Sequence, residues 1–145
     1  MIEKFLDSNV LIHAFLKPKE NITQRDSEIK RKSIDIVKKL QSGDLKVVLT
    51  TAQIFEVVNI LESWISHQAA REIIDFLFTA KNIKIYAVTQ KDLEEALTVA
   101  ERYKDNEIGI NDCVTYIAMK NANISEILSF DKHFDTLADI TRIEE

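Results

Sequence analysis

Two acidic residues of this chain, Asp7 and Asp131, directly follow short apolar runs. Asp7 comes after Lys4-Phe5-Leu6, and Asp131 comes after Ile127-Leu128-Ser129-Phe130. Runs of this length are typical of buried strands. In a parallel sheet both acids would project from the carboxyl ends of strands, where ligands bind. The pattern therefore predicts that two distant segments deliver acids to one edge.

Two further acids, Glu56 and Asp112, lie in segments with helical periodicity. Glu56 interrupts the apolar run Ile54-Phe55-Glu56-Val57-Val58 in the first turns of a helix that follows a strand. Ionised carboxylates are rarely surrounded by apolar neighbours unless they are paired or bind a metal. Asp112 lies in the first turn of a later predicted helix. Both acids are therefore candidates for the same site.

Taken singly, three of these acids have ordinary structural explanations. Asp7 could cap a helix, Asp112 could complement a helix dipole, and Asp131 could open a turn. Four carboxylates at one edge, however, would repel one another and raise their proton affinity. Mg²⁺ and Mn²⁺ are suited to carboxylate and water ligands, and a substrate phosphate often completes a magnesium site. The set therefore indicates a divalent-cation site for phosphoryl chemistry.

Short strands and amphipathic helices are predicted to position these acids. Beyond the two runs above, strands are predicted at Lys46-Val47-Val48-Leu49 and at 83–88. Helices are predicted between the strands. The first runs from about Gln24 to Gln41 and ends at Gly43, and the second covers 54–65 with Thr51 as its cap. Further helices are predicted through 73–78, from Thr89 with Asp92 supporting the cap, and from about Asn111. Helical crossovers between strands imply an α/β fold with a mainly parallel central sheet and helices on both faces.

The size and composition of the chain bound its class. With 145 residues it is long enough for one hydrophobic core, so a single domain over residues 1–145 is expected. No apolar run approaches the roughly 20 residues of a membrane span, and the N-terminus has no secretion-signal pattern, so we expect a cytoplasmic protein without a membrane partner. Cys113 is the only cysteine, which leaves oxygen ligands for any metal.

The charge of the chain is unevenly distributed. The formal net charge of −5 argues against a protein that coats nucleic acid nonspecifically. Residues 17–39 nevertheless carry eight basic and four acidic side chains, whereas residues 92–145 carry five basic and thirteen acidic ones. The basic segment is compatible with contacts to a phosphate backbone, or with the solvated face of an amphipathic helix.

Histidine and aromatic residues do not suggest a site of their own. His13, His67 and His133 show no metal-ligand spacing and are expected to be packing or surface residues, with His133 the one nearest to the acids. Trp64 and the phenylalanines are expected in the core, because they are not interleaved with basic residues as in a base-stacking platform.

With these positions in place, the chain resembles the PIN-domain family, and within it the small toxins of VapC-like toxin–antitoxin modules. Asp7-Ser8-Asn9 after the first strand is similar to that family's N-terminal motif. Glu56 after the second strand, Asp112 at a later helix start, and Ser129-Phe130-Asp131 with nearby Phe134 are similar to its other motifs. The resemblance spans essentially the whole chain.

The resemblance implies a parallel sheet of four to five short strands and a Mg²⁺- or Mn²⁺-dependent endoribonuclease that hydrolyses RNA phosphodiester bonds. It also implies an antitoxin partner and, often, a homodimer. Asp7, Glu56, Asp112 and Asp131 carry over as the catalytic, metal-binding acids. Supporting roles fall to Ser8 or Asn9, which would orient Asp7 or a water, and to Ser129.

The chain departs from the family pattern before the third acid. Many relatives have a short approach rich in glycine and alanine, whereas this chain has Glu107-Ile108-Gly109-Ile110-Asn111-Asp112. Asp105 and Glu107 are therefore competing positions for the third acid. Asp135 is either an outer acid of the site or an exposed helical charge.

Our mechanistic hypothesis is that one or two cations bind the scissile phosphate, activate a water and stabilise the leaving oxygen. Two alternatives remain open at this point. One is a phosphatase that forms an aspartyl-phosphate, although Asp7-Ser8-Asn9 lacks a second Asp two residues on. The other is a PIN-like module that binds RNA or protein without cutting.

Overall fold

Five short strands form the centre of the fold in the computed structural model, which describes residues 1–18 and 20–145. The strands are β1 (Lys4–Leu6), β2 (Val47–Thr50), β3 (Ile83–Tyr86), β4 (Glu126–Leu128) and β5 (Thr141–Ile143). All pairings are parallel, and the order across the sheet is β3-β2-β1-β4-β5. The predicted α/β class and parallel sheet are thus confirmed.

Helices connect the strands. They are α1 (Ser8–Phe15), α2 (Gln24–Ser42), α3 (Thr51–Trp64), α4 (His67–Thr79), α5 (Gln90–Arg102) and α6 (Ile110–Ala122), with short 3₁₀ turns at Lys104–Asn106 and Lys132–Thr136. Within the described residues, none of the helices has both the length and the apolar character needed to span a membrane.

The strand order places a topological switch point at the centre of the sheet. From β1 the chain moves outward through β2 to β3, and it then returns to the other side of β1 to form β4 and β5. Phe5 of β1 therefore pairs with Val48 on one side and Ile127 on the other. In open α/β sheets, crevices for ligands form beyond the carboxyl ends of the strands at such a point.

Alternation along the strands divides the core into two layers. Leu6, Val47 and Leu49 pack with α1 to α4 on one face, whereas Phe5 and Val48 pack with α5 and α6 on the other. Side chains of a strand point to opposite faces in turn, so each short strand contributes to both layers. Both faces of the sheet are covered, as parallel sheets require.

The helix ends follow the predicted signals with one shift. Gly43 ends α2 with a φ of +84°, and its N–H donates to Leu40 O. The Thr89 and Asp92 side chains cap α5 reciprocally. The cap of α3 is Thr50 rather than the predicted Thr51, because the Thr50 hydroxyl accepts the Gln53 N–H at 3.1 Å.

Several aromatic side chains predicted to be in the core are exposed. Trp64 is 76% exposed, Phe55 67% and Phe78 63%. Trp64 is the last residue of α3, and α3 ends before Ile65 can continue the apolar stripe. The prediction that these aromatic residues lie in the core was therefore wrong for these three.

Candidate functional site

The four acids lie together at the carboxyl edge of the sheet. Asp7 follows β1, and Asp131 follows β4, its neighbour across the switch point. Glu56 lies in the second turn of α3, and Asp112 lies in the first turn of α6. The structure brings all four close enough together that the charges of Asp7, Asp131 and Glu56 each raise the pKa of Asp112.

Asp7 occupies the N-cap position of α1 but does not cap the helix with its side chain. Its Oδ2 instead accepts a hydrogen bond of 2.6 Å from the Ser129 hydroxyl, and its backbone N–H donates to Leu128 O at 3.0 Å. The Asp7 side chain is only 2% exposed. Its carboxylate is therefore directed into the site rather than used for capping.

The environment of Asp7 disfavours its charge. Burial raises the pKa of Asp7 to about 6, the Ser129 hydrogen bond partly opposes this, and the charge of Asp131 raises it further. The nearby backbone N–H of Asn9 also lowers the pKa of Asp7, without forming a capping hydrogen bond to its side chain. Within the described residues, no side-chain hydrogen bond of Asn9 reaches the acids, so its contribution comes from the backbone.

Glu56 is held by two polar side chains. The Ser8 hydroxyl donates to Glu56 Oε1 at 2.8 Å and lies 3.4 Å from Asp7 Oδ1, so Glu56 is its main acceptor. The Asn111 amide donates to Glu56 Oε2. Ser8 thus connects the first two acids, and Asn111 connects Glu56 to the helix that carries Asp112.

Asp112 and Asp131 form the second half of the site. Burial raises the pKa of Asp112, and the charges of Asp7 and Asp131, a hydrogen bond with Asp131 and the charge of Glu56 raise it further. Asp131 Oδ1 accepts the backbone N–H of His133 at 2.9 Å. Single ligand atoms of Asp112, Asp131 and His133 all lie within 4.8 Å of one another.

A second layer of contacts holds the Ser129 to Asp131 segment. The Ser129 hydroxyl accepts the Asp131 N–H at 3.0 Å, and Arg142 Nη1 donates to Ser129 O at 3.1 Å. Arg142 also binds Glu144 at 2.7 Å and Asp135 at 3.0 Å. The strand β5 therefore supports the loop that carries the fourth acid.

The competing acids lie outside this network. Asp105 and Glu107 are exposed, on and just after a 3₁₀ turn, and neither is among the charges that raise the pKa of Asp112. Asp135 pairs with Arg142 instead of facing the other acids. In the structure, Asp112 rather than Asp105 or Glu107 therefore lies beside the other acids.

Two contacts of the site were not predicted from the sequence. The sequence predicts Asn111 only as a helix start, because an uncharged amide does not stand out beside the candidate acids. Arg142 lies in β5, a strand of three residues that was also missed. In the sequence, Arg142 is recognisable only as a basic residue with acidic residues on both sides. Such a pattern is too common to identify a role.

The residues present fit a divalent cation. Burial of Asp7 and the mutual repulsion of the acids raise the pKa values of Asp7 and Asp112, which means that positive charge at this position would be stabilised. Among the described residues, the buried Asn111 Oδ1 has no hydrogen-bond partner. Carboxylate and amide oxygens are the ligands that hard cations prefer.

Substitution of Ser129 by Ala is expected to raise the pKa of Asp7 above its value of about 6, because the hydroxyl stabilises the ionised carboxylate. Carboxyl ¹³C chemical shifts of labelled protein in chelator, followed against pH, measure this change. Ser125→Ala, at an exposed position before β4, is the matched control and should leave the titration unchanged. An unchanged Asp7 titration in Ser129→Ala would contradict the assigned hydrogen bond.

Comparison with known proteins agrees with this architecture. VapC20 of Mycobacterium tuberculosis, a toxin that cleaves the sarcin–ricin loop, has a TM-score of 0.70 at 17% identity, covering 94% of this chain and 95% of that chain. VapBC2 of Rickettsia felis, bound to a DNA fragment from its promoter, has a TM-score of 0.67 at 10% identity and covers 98% of each chain. A toxin–antitoxin complex from Klebsiella pneumoniae has a TM-score of 0.64 at 13% identity, covering 95% of each chain.

Comparison of the sequence with family models identifies the family. No curated protein sequence matches the chain. The family model of the PIN domain, however, matches residues 4–140, which include all four acids and all but the last strand. At identities of 10% to 17% the solved structures show the fold, and the family model adds an independent match of sequence. The chain therefore belongs to the PIN-domain family.

Proposed function

We propose that this protein is a Mg²⁺- or Mn²⁺-dependent endoribonuclease that hydrolyses RNA phosphodiester bonds. The observation that carries the proposal is the meeting of four carboxylates from four segments at the switch point of the sheet. Two of them, Asp7 and Asp112, have raised pKa values because of burial and of the neighbouring charges. A nuclease that relies on cations requires such a concentration of negative charge.

The carboxylates of Asp7, Asp112 and Asp131 would hold the cation, with Glu56 as the fourth acid. When bound, the cation supplies charge stabilisation for the phosphate and a water activated for attack. The chain's own part is orientation. Ser129 fixes one oxygen of Asp7, and Ser8 fixes one oxygen of Glu56, so each carboxylate keeps a defined direction without closing the site.

The geometry supports the phosphatase alternative less well. A nucleophilic aspartate must present a carboxylate oxygen to the phosphorus atom of its substrate. Asp7 is only 2% exposed, and its Oδ2 accepts a 2.6 Å hydrogen bond from Ser129. Position 9 is Asn, which cannot serve as a general acid in the way that a second Asp would.

We further propose that the protein is the toxin of a toxin–antitoxin pair and acts in the cytoplasm as a single domain over residues 1–145. The support is that one solved neighbour of this fold is a toxin–antitoxin complex and another is a toxin that cleaves the sarcin–ricin loop. Exposed apolar side chains at Phe55, Trp64 and Phe78 are compatible with a protein partner and with a homodimer. An adjacent small antitoxin gene, and an antitoxin that blocks cleavage, would support this assignment.

Chelation is the direct test of the proposed activity. We expect the purified protein to cut at least one RNA of a panel of structured RNAs, including a sarcin–ricin loop fragment, in MgCl₂ or MnCl₂. Excess EDTA should stop the cleavage, and added cation should restore it, with fragments resolved by gel electrophoresis. Asp7→Asn should be inactive under every condition, whereas Asp44→Asn, an exposed acid after α2, should match the parent.

The outcomes separate the alternatives. Cleavage that persists in EDTA, or an active Asp7→Asn protein, would refute the cation-dependent mechanism. Tight RNA binding without cleavage of any RNA in either cation would favour the non-catalytic PIN-like module. A phosphorylated protein trapped from a phosphomonoester, and lost in Asp7→Asn, would favour the phosphatase.

A further inference from the structure

We propose that His133 supplies a nitrogen ligand to the cation of this site and thereby makes the site select Mn²⁺ over Mg²⁺. The inference rests on the proposed function, since it concerns the same cation, and it adds a residue and a selectivity that the four acids alone do not give. It also revises the expectation that His133 is only a surface residue.

The positions of the ligand atoms carry the first step. His133 Nδ1 lies 3.1 Å from Asp131 Oδ1. Adjacent ligands of an octahedral ion with bonds of about 2.1 Å are separated by about 3.0 Å. Asp112 provides a third ligand atom within 4.8 Å of both. Small side-chain rotations therefore suffice for these three groups to share one ion.

The local backbone holds the ring beside Asp131. The 3₁₀ turn that begins after Asp131 is fixed by the bond from the His133 N–H to Asp131 Oδ1 at 2.9 Å. Phe134, the next residue, is 0% exposed and anchors the turn in the core. The His133 side chain itself is 51% exposed, so its ring reaches the site from the solvent side without a large desolvation cost.

Ligand chemistry then gives the selectivity. Mg²⁺ binds oxygen ligands almost exclusively and retains its waters, so an imidazole adds little to its affinity. Imidazole nitrogen binds first-row transition ions better, and Mn²⁺ is the weakest binder of that series. A single histidine beside two carboxylates therefore favours Mn²⁺ over Mg²⁺, and it would favour Co²⁺ or Ni²⁺ still more.

His67 offers a matched control in the same chain. Its Nδ1 lies 2.6 Å from Glu62 Oε2, and its side chain is 76% exposed, so it too is an exposed histidine beside one carboxylate. Among the described residues, it does not belong to a group of three potential metal ligands. His67→Ala therefore removes an exposed imidazole beside a carboxylate, as His133→Ala does, but at a position away from the four acids.

The test compares His133→Ala with His67→Ala. Titration calorimetry of chelator-treated protein with MnCl₂ and MgCl₂ measures both affinities, and pulsed EPR of the Mn²⁺-loaded protein detects directly bound ¹⁴N. We expect the parent and His67→Ala to show a ¹⁴N coupling. We expect His133→Ala to lose it together with on the order of tenfold or more in Mn²⁺ affinity, while Mg²⁺ affinity stays within about twofold.

Each result decides between the two proposals. A Mn²⁺-loaded parent without ¹⁴N coupling, or equal losses for Mn²⁺ and Mg²⁺ in His133→Ala, overturns the role of His133 and leaves the four-acid site intact. A parent that binds neither cation overturns the proposed function as well. The alanine variant keeps the backbone N–H of residue 133, so Asp131 can still cap the 3₁₀ turn with its side chain. Circular dichroism verifies that the variant is folded.

Discussion

The Asp112→Asn variant is expected to lose RNA cleavage by about 10³-fold while becoming more stable than the parent in the absence of cations. The loss follows from the position of Asp112, whose pKa responds to all three other acids of the site. Loss of one electrostatic contact to a transition state typically costs 10²- to 10³-fold in rate, and a lost cation ligand belongs at the upper end of that range.

The gain in stability has the same cause as the raised pKa. Burial and neighbouring charges make ionised Asp112 unfavourable in the folded protein, whereas the unfolded chain ionises it freely. A neutral Asn has the shape of the carboxyl group without the charge. We expect a gain in the free energy of unfolding on the order of 1–2 kcal/mol at pH 8 in EDTA, measured by urea denaturation.

Asp105→Asn is the matched control for both measurements. It removes one negative charge from the preceding turn, where an alternative alignment would place the third acid. We expect activity and stability close to those of the parent. If Asp105→Asn were inactive and Asp112→Asn active, the assignment of the third acid would be wrong by seven positions.

The convergence of the acids was predictable because two of them directly follow strands. Parallel strands expose their carboxyl ends at one edge, so Asp7 and Asp131 had to share that edge once the strands were recognised. What the sequence does not contain is the order of the strands. Only the structure shows that β1 and β4 are neighbours, which brings these two acids across the switch point.

The contacts that orient the acids were less predictable. Asn111 and Arg142 act through hydrogen bonds between segments distant in sequence, to Glu56 and to Ser129 O. Neither periodicity nor spacing specifies such partners. The strand β5 was missed because three residues with one apolar side chain, Thr141-Arg142-Ile143, have no pattern of their own and acquire strand geometry only by pairing with β4.

Local signals had similar limits at the helix ends. Two adjacent threonines, Thr50 and Thr51, lie at the start of α3, and either could cap it by residue type. The choice of Thr50 depends on where β2 stops, because the cap must leave the strand with an extended backbone before the first helical residue. Trp64 is the last residue of α3 and is 76% exposed, so its apolar residue type alone does not predict whether it is buried.

In EDTA, the parent protein is expected to lose stability as the pH rises from about 4 through 6 and beyond. Asp7 has a pKa of about 6 in the folded protein against 3.8 in the reference state. A carboxyl group whose folded pKa is raised contributes stability that is fully present below pH 3.8 and is lost as the pH rises through 6. The pKa of Asp112 is also raised, so this residue likewise makes the stability fall as the pH rises.

The size of this loss of stability follows from the shift in the pKa of Asp7. At about 1.4 kcal/mol per pKa unit, Asp7 alone accounts for at most about 3 kcal/mol by pH 7. Other groups act in the opposite direction: burial lowers the pKa of His13, and Arg25 with Arg142 lowers the pKa of Glu144 to about 2. The difference in unfolding free energy between Asp7→Asn and the parent isolates the site. It should be small at pH 4 and largest above pH 7.

Cations should reverse this trend, because they bind the ionised acids and compete with protons for them. At a concentration one hundred times the dissociation constant, Mn²⁺ or Mg²⁺ should raise the unfolding free energy of the parent by about 2.7 kcal/mol. The increase should shrink as the pH falls below the pKa of Asp7 and should be much smaller in Asp7→Asn. The stability of the parent in EDTA could instead stay constant between pH 4 and 8, with a melting temperature that neither cation changes. That result would mean that the four carboxylates do not form a cation site, because the repulsion that such a site relieves would be absent.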